Sequence, residues 1–271
     1  MKTQTVKLNN GVEIPRLGFG SYKIPPGKDT EDAVSLALAA GYRHIDTAKY
    51  YANEESVGNA VRESGIPRDE VFVTTKLWLA DQANTESAFE RSKKLLGLGT
   101  VDLYLIHWPV PLLRQGAWKT LERLYKKGEI RAIGVSNYTI KHLEQLLEDT
   151  DVVPAVNQIE FTPFLYQKEL LEYCKKKGIA VEGYSPLSRG RRLDDQVIAE
   201  IAKKHKKSYS QIVLRWDLQH GVIPLPKSVH AERIRENADV FGFELDKDDM
   251  AVLDTKNENY RCTSVDPNLM P

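Results

Sequence analysis

Short runs rich in β-branched and aromatic residues alternate along the chain with amphipathic stretches at intervals of roughly thirty residues, the rhythm of successive βαβ units. That rhythm leaves few architectures open, because each crossover covers a sheet face and the strands between must be buried on both sides. Eight runs qualify: Leu17 to Gly20, His44 to Asp46, Val71 to Lys76, Leu103 to His107, Arg131 to Val135, Ala155 to Gln158, Ala180 to Gly183 and Val222 to Pro224. Eight parallel strands predict closure into a (β/α)8 barrel, the TIM-barrel architecture. Thr30 to Ala40, Thr85 to Leu96, Trp118 to Lys127, Leu193 to Lys206 and Ser210 to Gln219 carry apolar residues at helical spacing. Asp246 to Leu253 reads as an extra C-terminal helix on the outside. Near the start, Thr5 to Leu8 and Val12 to Ile14 alternate around Asn9-Asn10-Gly11. This predicts a β-hairpin closing the barrel floor.

The 271 residues contain no Pro/Gly/Ser linker, so residues 1–271 are read as one domain. Lys plus Arg and Asp plus Glu both number 38. That balance gives no electrostatic footprint for nucleic acid or an anionic membrane. Cys174 and Cys262 stand far apart without a CxxC, and neither a disulfide framework nor a metal site is expected. The N-terminal stretch has no apolar leader pattern, and no run of about 18 apolar residues exists. A cytoplasmic protein is expected, a monomer with a homodimer as the alternative. The Lys-rich segments Lys175 to Lys177 and Lys203 to Lys207 read as solvated helix ends rather than anion sites.

Three of the apolar runs end on a titratable side chain, at Asp46, Lys76 and His107, and Tyr51 follows Asp46 by five residues. Parallel barrels present their chemistry at the carboxyl ends of the strands, so these four groups suggest one proton-handling site. Each has an ordinary reading taken singly: a surface aromatic, an incidental ion pair, a histidine satisfied by backbone. Four at adjacent strand ends favour the shared site. Among motifs that carry chemistry, Gly18-Phe19-Gly20-Ser21-Tyr22-Lys23 begins like GxGxxG but lacks the third glycine. P-loop, HExxH and GxSxG motifs are absent as well.

The segment Gly41 to Ala48, with Tyr51, Asn53-Glu54 and Gly58, resembles the first signature of the aldo-keto reductases. Further signatures follow in order: Thr75 to Trp78, Leu105 to Pro109, Gly134 to Asn137, Asn157-Gln158, Tyr184 to Leu187, and Pro226 to Val229 with Arg233. The resemblance is to short-loop prokaryotic members of the aldehyde and diketogluconate reductase type. It implies an NADP-dependent carbonyl reductase of the alcohol dehydrogenase class, reducing aldehydes and some ketones. Asp46, Tyr51, Lys76 and His107 match the catalytic tetrad, with Tyr51 as the acid, Lys76 as the cation that strengthens it, Asp46 holding that ammonium and His107 orienting the carbonyl. Family spacing selects Tyr51 over Tyr50, which is left as a packing residue.

The same resemblance implies the NADP(H) contacts. Lys227, Ser228 and Arg233 would grip the 2′-phosphate, Tyr184 would stack on the nicotinamide, and Ser136, Asn137 and Gln158 would bind its carboxamide. Ser185, Pro186, Leu187 and Ser188 would wrap the pyrophosphate, helped by one of Arg189, Arg191 and Arg192, with Arg189 the first choice. Gly20, Ser21, Tyr22, Asp46, Val229, Glu236 and Asn237 complete the expected cofactor site. Tyr22, Tyr51, Trp78, His107 and Trp108 are the expected substrate wall. Only about ten residues separate His107 from the helix around Trp118, and the tail after Leu253 is short, so an open pocket and broad specificity are expected. Two other readings use the same residues: an NADPH-binding sensor without turnover, and a Schiff-base lyase with Lys76 as nucleophile, which an adjacent Asp46 opposes.

Overall fold

A computed structural model describes residues 4–263 and 265–270. Strands β1 (Thr5–Lys7) and β2 (Glu13–Pro15) form an antiparallel hairpin. Eight strands follow: β3 (Phe19–Gly20), β4 (His44–Asp46), β5 (Phe72–Leu77), β6 (Val101–Ile106), β7 (Ile130–Ser136), β8 (Val156–Glu160), β9 (Ala180–Tyr184) and β10 (Ile223–Leu225). Each runs parallel to the next in chain order. The ring closes where the amides of Gly18 and Gly20 donate to the carbonyls of Pro224 and Pro226 at 3.1 and 3.0 Å. The predicted (β/α)8 barrel is what the chain forms.

The helices are α1 (Lys28–Ala39), α2 (Glu54–Glu63), α3 (Thr85–Leu96), α4 (Arg114–Lys126), α5 (Ile140–Leu147), α6 (Lys168–Lys176), α7 (Gln196–His205), α8 (Tyr209–Gln219), α9 (Ala231–Ala238) and α10 (Lys247–Asp254). Three of these, α2, α5 and α6, are not anticipated by the sequence reading. They span ten residues or fewer; α5 and α6 bury only a narrow stripe, such as Leu170 and Cys174 on α6, and α2 buries small and polar residues, Glu54, Ser56, Gly58 and Ala60, beside Val57 and Val61. The helix expected from Leu193 starts later because the Asp195 carboxylate caps it, accepting from the Ile198 amide at 3.1 Å. Asp246 caps α10 in the same way, accepting from Asp249 N at 2.9 Å.

The hairpin lies across the amino-terminal end of the barrel, as expected. Its Leu8 and Ile14 join Phe72, Leu103, Leu105, Ala132, Ala155, Val156 and Ile223 in an apolar plug. Asn9 and Asn10 fasten it by donating to the carbonyls of Pro154 and Arg131 at 3.0 and 2.9 Å. A second, larger core fills the layer between strands and helices.

Above the plug the barrel interior turns polar. His44 and Glu182 are fully buried, with His44 Nε2 3.0 Å from Thr74 Oγ1 and 3.6 Å from Glu182 Oε1. Burial, helped by the Lys76 charge, pushes His44 down to about 3. Burial, helped by the Asp46 charge, pushes Glu182 up to about 8. Both are therefore neutral near pH 7, which spares the barrel two unpaired charges.

Two predictions follow from this packing. Between the ordinary carboxyl value of 4.5 and about 8, the unfolded chain carries an ionised Glu182 while the folded chain holds it protonated. That contribution to stability is lost as pH rises through the window. Glu182→Gln should flatten the dependence, so denaturant unfolding should show the variant gaining on wild type between pH 5 and pH 8; a constant difference would refute the buried acid. Glycines supply the other test. A Cβ on Gly58 would sit 1.9 Å from the Leu96 carbonyl oxygen, whereas one on Gly116 meets nothing within 4 Å. Gly58→Ala should cost about 3 kcal/mol or more by overpacking, and Gly116→Ala should stabilise by about 0.5 kcal/mol through helix propensity. Thermal unfolding should show opposite signs for the same chemical change.

Candidate active site

Strand β4 pairs with β5 so that Asp46 stands opposite Thr74. Lys76 lies two residues further along β5, and its ammonium reaches back across the strand pair. Nζ donates to both Asp46 oxygens at 2.7 Å and to the Thr47 carbonyl at 2.8 Å. Both side chains are buried, Lys76 fully, so the pair compensates two desolvated charges with short, charge-assisted bonds. Tyr51 ends a single 3-10 turn, Lys49–Tyr51, which Ala52 closes in the left-handed conformation at φ 58°. The turn sets Tyr51 Oη 3.4 Å from Lys76 Nζ, with the ammonium 4.9 Å from the ring centroid. An ammonium only donates, so the tyrosine oxygen accepts and its own proton remains free for the cavity.

The electrostatics differ from the sequence expectation in one respect. Lys76 was expected to make Tyr51 a stronger acid, yet burial, followed by the Asp46 carboxylate, holds the phenol well above its ordinary value. The physical reason is that Asp46 already neutralises the ammonium, leaving desolvation to dominate. The consequence is a fully protonated hydroxyl near pH 7. His107, at the end of β6, is held well below the ordinary histidine value by burial and then by the Lys76 charge. It is a neutral imidazole whose Nδ1 has no hydrogen-bond partner among the described residues. The rings of Trp78 and Tyr51 meet it edge-on at 5.3 and 5.9 Å and fix its plane.

Buried hydrogen bonds hold the turn that carries Tyr51. Ser21 Oγ donates to the Asp46 carbonyl at 2.8 Å, Thr47 Oγ1 donates to Asn53 Oδ1 at 2.7 Å, and Asn53 Nδ2 donates to the carbonyls of Ser21 and Ile24 at 3.1 and 3.2 Å. Glu54 accepts from Thr75 Oγ1 at 2.5 Å. The Asn53-Glu54 pair of the signature is thus structural, stitching the loops after β3 and β4 to β5.

These groups open into a cavity of about 920 Å³ at the carboxyl end of the barrel. Of the residues expected from sequence, Gly20, Tyr22, Asp46, Tyr51, Trp78, His107, Trp108, Asn137, Gln158, Tyr184, Ser185, Pro186, Leu187, Arg189, Lys227, Ser228, Arg233 and Asn237 line it. Ser21, Ser136, Ser188, Val229 and Glu236 are set back from its wall. Ser21 and Ser136 use their hydroxyls on backbone, the latter on Gln158 O at 2.9 Å, and Glu236 accepts from Ser208 Oγ at 2.6 Å. Arg189 places its guanidinium 5.3 Å from the centroid of the Tyr22 ring. Arg191 also lines the cavity and donates to the Cys262 carbonyl at 3.3 Å, whereas Arg192 is taken up by Glu258 and the Tyr260 ring.

Two parts of the wall escape sequence reasoning. Tyr50, expected to be a packing residue, is 52% exposed and stacks on Trp78 at 4.0 Å within the cavity mouth. Beyond α10 the chain folds back so that Thr263, Val265 and Met270 line the cavity. Its anchor is Glu160, whose buried carboxylate accepts from the amides of Cys262 and Thr263 at 2.6 and 3.2 Å and from the Thr263 hydroxyl. A carboxylate at the end of a barrel strand is the one available signal. The mouth also concentrates left-handed non-glycine residues, at Lys23, Asn137, Ser185 and Arg189, each costing about 1 kcal/mol.

The cavity is equipped for an anion at one end and an amide in the middle. Among the described residues neither Lys227 nor Arg233 is ion-paired, and nearby Asn237 has a buried carbonyl oxygen with no partner. Gln158 donates from Nε2 to Asp46 Oδ2 at 2.9 Å and to Glu182 Oε2 at 2.7 Å, which leaves its carbonyl oxygen for the cavity. Tyr184 Oη donates to Asn137 Oδ1 at 2.7 Å and so steadies the aromatic face between these ends. Lys76, by contrast, is buried with its N–H groups engaged, which opposes a nucleophilic role.

The comparisons agree with this geometry. Residues 16–258 match the model of the aldo/keto reductase family. The chain is 52% identical to the glyoxal reductase of Bacillus subtilis over 97% of its length and 95% of that protein. It is 47% identical to the 9,11-endoperoxide prostaglandin H2 reductase of Trypanosoma cruzi, over 98% and 96%. Among solved structures, an aldo/keto reductase from Brucella melitensis superposes with a TM-score of 0.90 at 45% identity, over 94% of this chain and all of that one. A Bombyx mori aldo-keto reductase in complex with NADP superposes with a TM-score of 0.92 at 36% identity, over 98% and 96%. With these matches across nearly its whole length, and with Asp46, Tyr51, Lys76 and His107 converging at the barrel mouth, the chain belongs to the aldo/keto reductase family.

Proposed function

We propose that this protein is an NADPH-dependent reductase of aldehydes and some ketones. The observation that carries the reading is a protonated Tyr51 hydroxyl, accepting from a buried Lys76 and standing beside a neutral His107 in a cavity whose Lys227 and Arg233 make no ion pair among the described residues. Relatives named glyoxal reductase, aldehyde reductase and methylglyoxal reductase support carbonyl chemistry. The NADP complex of the Bombyx mori relative supports the cofactor.

Reduced nicotinamide, when bound, supplies the hydride. Lys227 and Arg233 would hold the 2′-phosphate, Asn237 the adenine amine, Tyr184 the nicotinamide face and Gln158 with Asn137 its carboxamide. The fit is physical: Lys227 and Arg233, without an ion pair among the described residues, meet an anion, and the Asn237 and Gln158 carbonyl oxygens, which have no partner among those residues, meet amino groups. His107, neutral at working pH, donates one ring N–H to the substrate carbonyl and fixes its plane. Tyr51 donates its proton to the same oxygen as negative charge grows there. Lys76 stabilises the phenolate left behind, since the tyrosine oxygen already accepts from its ammonium. Asp46 keeps that ammonium aimed. The aromatic wall of Tyr22, Tyr50, Trp78 and Trp108 suits substrates with an apolar body and selects for no particular charge.

Two measurements test the reading. Tyr51→Phe should lower kcat by about 100-fold or more, the usual contribution of a positioned acid, while the Kd for NADPH by fluorescence stays within about threefold. Turnover at the wild-type rate in that variant would remove Tyr51 from the mechanism. Lys227→Ala should raise the Kd for NADPH about 10- to 100-fold, the equivalent of one charge-assisted hydrogen bond. Its Kd for NADH should move far less, and equal losses would place the phosphate elsewhere.

A further inference from the structure

We propose that Glu182, a residue outside the tetrad, is a positioning residue that fixes the orientation of the Gln158 amide. The cavity would then offer the nicotinamide carboxamide an acceptor and no donor at this point. The inference rests on the NADPH reading above. Its warrant is the chemistry of a primary amide, whose two ends are nearly the same shape but opposite in hydrogen bonding.

Gln158 Nε2 has two N–H groups, and each meets a carboxyl oxygen: Asp46 Oδ2 at 2.9 Å and Glu182 Oε2 at 2.7 Å. All three side chains are buried. Rotating the amide by half a turn would set its carbonyl oxygen against both carboxyl oxygens and strand two buried N–H groups. Two acceptors on one side therefore lock Gln158 with Oε1 toward the cavity it lines. Among the described residues that oxygen has no hydrogen-bond partner. Asp46 alone would engage one N–H and leave the other buried and unmatched.

Glu182 does this in either protonation state. A protonated carboxyl still accepts at Oε2, with the proton on Oε1, the oxygen that faces His44 Nε2 at 3.6 Å and has no hydrogen-bond partner among the described residues. Glu182 does not itself line the cavity and reaches it through Gln158.

The test compares three ligands by equilibrium fluorescence titration: NADP+, its 3-acetylpyridine analogue, which has a methyl group in place of the amide NH2, and 2′-phospho-ADP-ribose, which has no nicotinamide. Wild type should prefer NADP+ to the analogue by about 10-fold, the equivalent of one hydrogen bond. Glu182→Leu removes the acceptor and should reduce that preference to threefold or less by weakening NADP+, with 2′-phospho-ADP-ribose bound as in wild type. Glu182→Gln retains an acceptor oxygen and should keep the preference. A Glu182→Leu protein with the wild-type preference would overturn the proposal, as would equal loss of all three ligands, which marks a merely structural role. Failure of wild type to bind NADP+ would instead remove the cofactor reading beneath it.

Discussion

The site depends on one buried ion pair. Lys76 and Asp46 leave water together, and removing one partner of such a pair costs about 3–5 kcal/mol because the other charge is stranded. Neighbouring groups are arranged around it. The Lys76 charge helps keep His107 and His44 neutral, and the Asp46 charge helps keep Glu182 protonated. Tyr51 receives the ammonium's weakest contact, at 3.4 Å, and this leaves the pair able to strengthen that contact when charge develops on the phenol. A single local pairing therefore reinforces, in four other side chains of the barrel, the neutral form that burial already favours.

Backbone conformation follows the same constraint. The carbonyls of Asp46 and Thr47 accept from Ser21 Oγ and Lys76 Nζ, so the chain after β4 is held on both sides before it turns to present Tyr51. Left-handed residues gather at the loops around the mouth, where a regular helix entry would point side chains elsewhere. The plug of Leu8 and Ile14 at the opposite end keeps water from the polar interior below the site. Stability and reactivity are thereby separated along the barrel axis.

Much of this was legible in the sequence, for a physical reason. Parallel strands buried on both faces read as apolar runs, and a polar residue ending such a run has only the barrel mouth to face. Asp46, Lys76, His107, Gln158 and Lys227 all declare themselves this way, and the family signatures select Tyr51. What stayed hidden depends on neighbours from distant strands. Nothing local distinguishes Ser136, which turns its hydroxyl to the Gln158 backbone, from Asn137 on the cavity wall. The direction of the Tyr51 shift required knowing that Asp46 already neutralises Lys76. Tyr50 looked like packing until the β5 loop put Trp78 beneath it, and Glu160 gave no hint that its partners lie about a hundred residues away.

The Glu160 anchor has a consequence for the order in which the molecule is made. The cavity wall runs from Gly20 to Met270, and the carboxylate that accepts from Cys262 and Thr263 sits on β8. A chain emerging from the ribosome holds Asp46, Tyr51, Lys76 and His107 within its first half, long before the segment that completes the chamber has been translated. Until then Glu160 is a carboxylate without its amides, so the same contact that shapes the finished mouth also rewards the tail for docking last. Reactive groups come early and enclosure comes late, and a nascent barrel lacks this part of its wall until the segment around Cys262 and Thr263 docks on Glu160.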